Sequence, residues 1–422
     1  MRQSLSTLLA LRARVDLPLE VPHSATAPRQ LVRGGDVGFV RNRDLRRELA
    51  RRGRAVADII AEDTRLEVKP LRALRTARGR SVLFLLPSDA LGDAVMYAGA
   101  IREIGTAFAP NRMTVAFTGK ASDVFAHVGR ECELYPLFLP RRVVRQHEVV
   151  VDFESDLPGL HRVAEELVPI DRLVLEHLAL NPAYAWQAPR PARHIRRVGL
   201  FPLSSTPLRT LPPTLTAFLH DRLTALGYEV ELVLDGRQRQ GALCLQALRA
   251  ASPGARPRIN LDSVEALLGM MTGLDYGVFC DSGPAHLAKM LSLPGYGIYT
   301  TVSAATVQGH FTNLTPWQAP YRGAACQAPC GLVGVMARRE RPVYGCMDSL
   351  ASPRADLVRP AVLPEAETRR FLLDDPVGCV ATLVADRHRI LAGILADMTS
   401  RSSPAGGVAA ALGAHGRPAA ER

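Results

Sequence analysis

The sequence predicts an α/β protein: two doubly wound, Rossmann-like domains facing a cleft, preceded by an N-terminal extension. Three observations predict it. From residue 81 onward, apolar runs of strand length alternate with segments of helical periodicity. Residues 181–197, NPAYAWQAPRPARHIRR, break the alternation with prolines and basic side chains. At residue 198 the alternation resumes. Alternation of this kind implies right-handed crossovers and parallel sheets, and the break reads as an interdomain linker. The expected boundaries are an Arg-rich extension at 1–78, a first domain at 79–185, a second at 186–400 and a tail at 401–422. At 422 residues and 47% hydrophobic content, the chain has enough apolar material for two cores.

In chain order, residues 43–62 read as an amphipathic helix and the rest of 1–78 as irregular. The opening MRQSLSTLLALRARVDLPL carries too short an apolar patch for a secretory signal. Residues 81–86 form a continuous apolar run, expected of a strand buried on both faces. Residues 87–92 read as a turn, followed by a helix whose apolar positions are Val95, Met96, Ala98, Ile101 and Ile104. Gly92 permits close backbone approach to a ligand. Asp93 has two readings, a helix cap or first-turn charge, and a general base aimed into a cleft. Strands are expected at 113–117, 149–153 and 171–176, and a helix at 120–128.

The second half predicts a strand at 198–201, a helix at 213–226 and a strand at 229–234. Asp262 with Glu265 reads as a capping box opening the next helix. Residues 275–293, DYGVFCDSGPAHLAKMLSL, are the most informative stretch: an apolar strand ends in Cys280 and turns directly into a helix. Ser282 or Gly283 suits the N-cap, and Pro284 the first helical position. Helix amides and the positive dipole end favour an anion such as phosphate there, and His286 adds a side-chain donor. The plainer alternative is an ordinary strand–turn–helix crossover; the matching turn at 87–93 weighs towards a ligand. After residue 299 the regularity fades, and 401–422 reads as a disordered tail.

The net charge of +11, with arginines concentrated at 41–54 and 72–80, points to acidic partners or to solvated helix faces. A nucleotide sugar and an anionic membrane surface are the partners that fit. Nucleic acid is excluded: aromatics are only 5% and no nucleic-acid-binding motif is present. No apolar run approaches the ~20 residues that span a bilayer. Seven cysteines without a paired framework suit a reducing compartment. The expected location is cytoplasmic, with peripheral contact at the inner membrane face through the Arg-rich patches.

Together these segments resemble glycosyltransferase family nine, which includes the heptosyltransferases of lipopolysaccharide biosynthesis. The family's early loop is matched by Leu91-Gly92-Asp93, and its late motif by Asp281-Ser282-Gly283-Pro284-Ala285-His286-Leu287. A third match is RVGLFPLSSTPLRTLPP at 197–213, with Arg209 in the place of the family's basic residue and Leu211 replacing an aromatic before Pro212. The resemblance covers about residues 80–390. It implies a GT-B fold and inverting transfer of a sugar, a heptose among the options, from a nucleoside diphosphate donor. The acceptor would be a cell-surface glycan, a lipid-linked saccharide or a protein.

On this reading Asp93 is the general base, and Gly92, Ser204, Ser205, Arg209, Asp281, Ser282, Gly283, Pro284 and His286 form the donor side. Thr206 is a further candidate. A guanidinium suits phosphate because it is planar and bonds bidentately, and donors held there stabilise the charge that builds on the leaving diphosphate. No cofactor is expected for catalysis, because the helix terminus and Arg209 take the charge-neutralising role. Asp235-Gly236-Arg237-Gln238-Arg239 stands where the family has a Gly-rich turn and a glutamate that contacts the nucleoside. That departure leaves the nucleotide open.

Cys326, Cys330 and Cys346 follow the last motif, and the resemblance implies a structural metal there, iron or zinc. A closed site needs a fourth ligand, for which His310 and Cys379 are the candidates. The alternative is packed thiols. Cys132, Cys244 and Cys280 read as small buried hydrophobes. Two other functions are consistent with the fold. One is a nucleotide-sugar epimerase, which needs a further acid/base group in the cleft. The other is a non-catalytic nucleotide-sugar-binding scaffold, against which the pairing of Asp93 with an intact DSGPAHL loop argues.

Overall fold

The computed structural model describes residues 8–20, 29–41, 59–61, 66, 68–86, 90–117, 121–129, 132–135, 137–153, 168–191, 194–236, 239–259, 263–339, 341–360 and 362–402. Where the sequence reads as irregular, five short strands form: β1 (Leu8–Ala13), β2 (Leu17–Glu20), β3 (Arg29–Val32), β4 (Val37–Arg41) and β5 (Ile59–Ala61). The end of the expected 43–62 helix is therefore strand, and residues 42–58 lie outside the described residues. The first parallel unit follows, with β6 (Ser81–Leu86), β7 (Arg112–Phe117), β8 (Cys132–Tyr135), β9 (Phe138–Pro140) and β10 (Val149–Asp152). β9 leaves that unit to join an antiparallel sheet, β5-β1-β4-β9. Ala10, Phe39 and Leu139 pack with Leu83, Leu85 and Val150, so the N-terminal sheet covers one face of the first parallel sheet. Arginines interspersed in these strands hid their apolar alternation.

The first parallel sheet has the order β10-β6-β7-β8. β6 is buried along its whole length, as its unbroken apolar run requires. The helix after it, Leu91–Phe108, buries Val95, Ala98, Ile101 and Ile104 and ends at Ala109 in the left-handed region. Two expectations are corrected here. Residues 171–176 are not a strand but part of the Ile170–His177 helix. Their run of apolar residues suits either period, and packing against the Leu91–Phe108 helix decides it. The helix expected at 120–128 is a 3-10 turn, Ser122–Val128, stopped by Gly129 at φ 77°; Lys120 lies outside the described residues.

The second unit holds β11 (Arg197–Phe201), β12 (Glu229–Leu234), β13 (Arg258–Ile259), β14 (Tyr276–Cys280), β15 (Gly295–Tyr299) and β16 (Leu314–Gln318). They form one parallel sheet in the order β13-β12-β11-β14-β15-β16. Counted from β11 this is 3-2-1-4-5-6, the order of a dinucleotide-binding Rossmann sheet, and the first sheet repeats its 3-2-1-4 part. Each sheet reverses direction of winding beside its first strand, between β6 and β10 and between β11 and β14. Ligands bind outside the strand carboxyl ends at such points. Asp262 of the expected capping box lies outside the described residues; the cap of the next helix is Ser263, whose hydroxyl accepts from Ala266 N. Beyond β16 a small antiparallel sheet forms from β17 (Met336–Arg338), β18 (Arg341–Gly345) and β19 (Leu357–Val358). The final described helix, Arg387–Arg401, reaches the start of the expected tail, of which 403–422 lie outside the described residues.

One apolar cluster joins the two units. It runs from Phe84, Val95, Ala98 and Ile101 through Leu287 and Ala288 to Phe279. The Leu91–Phe108 helix packs directly on the Gly283–Met290 helix. Tyr184, in the break between the units, donates to Asp171 at 2.8 Å and rests on Gly99, where an added Cβ would lie 2.0 Å from the phenol oxygen.

Candidate active site

The loop after β11 is fixed by its own polar groups. Thr210 donates to Thr206 O at 2.9 Å, Leu211 N to Pro202 O at 2.9 Å, and Thr300 to Leu208 O at 2.6 Å. This leaves Arg209 projecting from a rigid loop at the second winding reversal. Its Nη1 donates to Asp281 Oδ2 at 3.0 Å and its Nη2 to Ser205 Oγ at 2.9 Å. Nε is buried and has no hydrogen-bond partner among the described residues. The ion pair is largely dry, with the Arg209 side chain 17% exposed and that of Asp281 5%. Ser204 is buried and donates its hydroxyl to Asp281 O at 2.8 Å, so it ties the two loops together.

The turn after β14 places Ser282 at the N-cap, in extended backbone, so Gly283 is the first helical residue and Pro284 the second. Pro284 has no N–H, and Ala285 N donates back to Ser282 O at 3.1 Å. The Gly283 amide is therefore the first-turn donor this turn can offer. His286 is buried at 7% exposure, and Lys289, at 3%, lies one turn further along the same helix. Lys289 Nζ is 3.2 Å from His286 Nδ1 and also donates to Val307 O. Burial, then the neighbouring Lys289 and Arg209 charges, hold His286 well below the usual histidine range. Both effects favour the neutral ring.

The first domain meets this turn head-on. An added Cβ on Gly92 would lie 2.8 Å from His286 Cδ2 and 2.9 Å from Nε2; one on Gly283 would lie 2.5 Å from Leu91 Cδ2. The starts of the two helices are thus in contact, each through a glycine facing the other's side chain. Asp93 follows in the first turn of its helix, partly exposed. The N-cap of that helix is Ala90, so Asp93 is a first-turn residue and not the cap. Replacing Gly92 by alanine is expected to push His286 out of place. Overpacking of this kind costs about 1–3 kcal/mol. A lowered Tm together with weakened anion binding would reveal it; an unchanged Tm and affinity would show that the contact is not tight.

Two further buried ionisable residues were not singled out from sequence. Lys289 had a signal, its i,i+3 spacing from His286. Asp152, buried at the carboxyl end of β10 where the first sheet reverses its winding, had only its place at the end of the Val149–Asp152 run. A separate cavity of 530 Å³ lies between the units, lined by Arg102, Trp186, Glu265 and Met290 among others. It includes none of the candidate residues.

The expected metal at Cys326, Cys330 and Cys346 is corrected. Among the described residues no group of three or more His, Cys, Asp and Glu side chains is arranged to hold a metal ion. His310, a candidate fourth ligand, bonds Tyr184 O at 2.6 Å, and Cys379 is buried in the second core. Burial first, then the neighbouring cysteines, pushes the Cys326 thiol up to about 11 and that of Cys379 up to about 12. Cys346 and Cys379 are buried and Cys326 and Cys330 half-buried, all as free cysteines, and among the described residues they do not form a group that fits a metal.

No protein-family profile and no curated protein matches the chain. Several solved structures are similar to it. The Escherichia coli heptosyltransferase WaaC with ADP matches at 12% identity and TM-score 0.43, over 57% of this chain and 93% of that one. A family nine glycosyltransferase from Veillonella parvula matches at 12% identity and TM-score 0.47, over 58% and 89%. The iron-containing dodecameric glycosyltransferase TibC from enterotoxigenic E. coli matches at 13% identity and TM-score 0.44, over 89% and 93%. The mixed α/β architecture with two parallel sheets stands on the strand orders themselves. Among the described residues no helix is long and apolar enough to cross a membrane.

Proposed function

We propose that this protein is an inverting glycosyltransferase that moves a sugar from a nucleoside diphosphate to an acceptor hydroxyl. The observation that supports the reading is the contact between Gly92 and His286, which brings the helix start that carries Asp93 against the start of the Gly283–Met290 helix. In the proposed reaction the donor diphosphate lies against Arg209, Ser205, the Gly283 amide and His286, at the positive end of the Gly283–Met290 helix. Asp281 aims the guanidinium, Ser204 ties Asp281 to the loop, and Ser282 and Pro284 set the helix start. Asp93 accepts the acceptor hydroxyl proton as that oxygen attacks the anomeric carbon. The bond from that carbon to the phosphate oxygen breaks, its electron pair leaves with the nucleoside diphosphate, and the anomeric centre inverts. Charge grows on the diphosphate where the donors already stand, so they bind the transition state more tightly than the ground state. Reaction in the cytoplasm, on a glycan, lipid-linked saccharide or protein acceptor, completes the proposal.

The test is a thermal-shift panel of nucleotide sugars, since ligand binding raises apparent stability by mass action, followed by turnover assays. The motif resemblance makes heptose the first sugar to try. Release of nucleoside diphosphate only when an acceptor is present is the expected result. Conversion of the donor without an acceptor would instead indicate an epimerase, and binding without turnover a scaffold.

A further inference from the structure

We propose that Lys289 is a positioning residue that fixes His286 as the Nε2–H tautomer, so that this N–H donates to the anion held between the two helix starts. Lys289 Nζ is bonded on two sides, to Val307 O and, at 3.2 Å, to His286 Nδ1. An ammonium group has donors and no lone pair. Nδ1 must therefore accept, and in a neutral ring the proton then resides on Nε2. The Nε2 edge is the edge pressed towards Gly92, at the start of the Leu91–Phe108 helix. That helix start also offers donors and positive potential. A ring N–H, the Gly283 amide and two helix N-termini converging on one place are complementary to an anion.

The cation is held in this position. Lys289 is 3% exposed, its ammonium lies 5.3 Å from the Phe311 ring centroid, and the carboxylates of Asp171 and Asp281 favour its charged form. Asp171 is itself bonded by Tyr184 at 2.8 Å, so the first unit and the linker supply the counter-charge for a residue of the second unit. Burial pushes Lys289 down to about 8, which leaves it protonated at neutral pH. The proposal rests on the donor-site reading only for the identity of the anion.

The deciding measurement is ¹⁵N NMR of the histidine rings in the whole protein at pH 7, with the His286 signals assigned by their loss in His286→Gln. A neutral His286 protonated at Nε2 is expected. Protonation at Nδ1, or an imidazolium, overturns the proposal without recourse to any Lys289 variant. In Lys289→Met, which keeps the length and removes the charge, the ring is expected to become a mixture of tautomers. Inorganic pyrophosphate should then bind about tenfold or more weakly. A tautomer unchanged by that substitution would also overturn the proposal, whatever the affinity. Absence of glycosyl transfer with the tautomer as stated would count against the transferase reading and leave the role of Lys289 standing.

Discussion

Asp93→Asn is expected to lower kcat by about two to four orders of magnitude, the usual worth of a positioned general base, while nucleotide affinity stays near that of the native protein. Asparagine keeps the shape of the side chain and removes its capacity to take a proton. The proposed donor-binding side chains, Arg209 and His286, belong to the other unit, so binding and proton transfer should separate. Asp93 also has a structural share. As a first-turn carboxylate it gains about 0.3–1 kcal/mol from the helix dipole, which a Tm measurement would register apart from the rate. Steady-state kinetics with saturating donor gives the test. A kcat within a few fold of the native value would remove Asp93 from the mechanism.

Arg209→Met is expected to lose both stability and donor binding, for different reasons. Its partner Asp281 is 5% exposed, and breaking the pair leaves a buried carboxylate without its counter-charge. Removing one partner of such a pair costs about 3–5 kcal/mol, largely through the stranded charge. The double variant Arg209→Met with Asp281→Asn removes both charges and should regain most of that loss. Donor affinity should not return with it, because the cation that faces the diphosphate is still missing. Denaturant unfolding and donor titration of the two single variants and the double variant form a complete cycle. Recovery of donor affinity in the double variant would assign Arg209 a purely structural role.

Much of the fold was legible in the residues because parallel strands buried on both faces are written as unbroken apolar runs. SVLFLL and YGVFC announced β6 and β14 in that way, and both are buried throughout. The turns were legible for a different reason. Asp281-Ser282-Gly283 joins the end of β14 to a helix start through a residue without a side chain, and Leu91-Gly92-Asp93 opens the helix after β6. The N-terminal strands were not legible, because arginines interrupt their alternation and their partners, β9 among them, are distant in sequence. Residues 171–176 were misread because a short apolar run fits both periods, and only the neighbouring helix decides between them. The cysteine spacing suggested a metal, yet among the described residues no group of three or more His, Cys, Asp and Glu side chains is arranged to hold one.

The sequence by itself determined the strands buried on both faces and the residue types available at each turn, since these depend on local backbone preference and on burial pattern. Tertiary structure alone decided that Gly92 rests on His286 and that Arg209 is held by Asp281. These are contacts between segments far apart in the chain or between side chains whose direction packing sets. No local rule contains them.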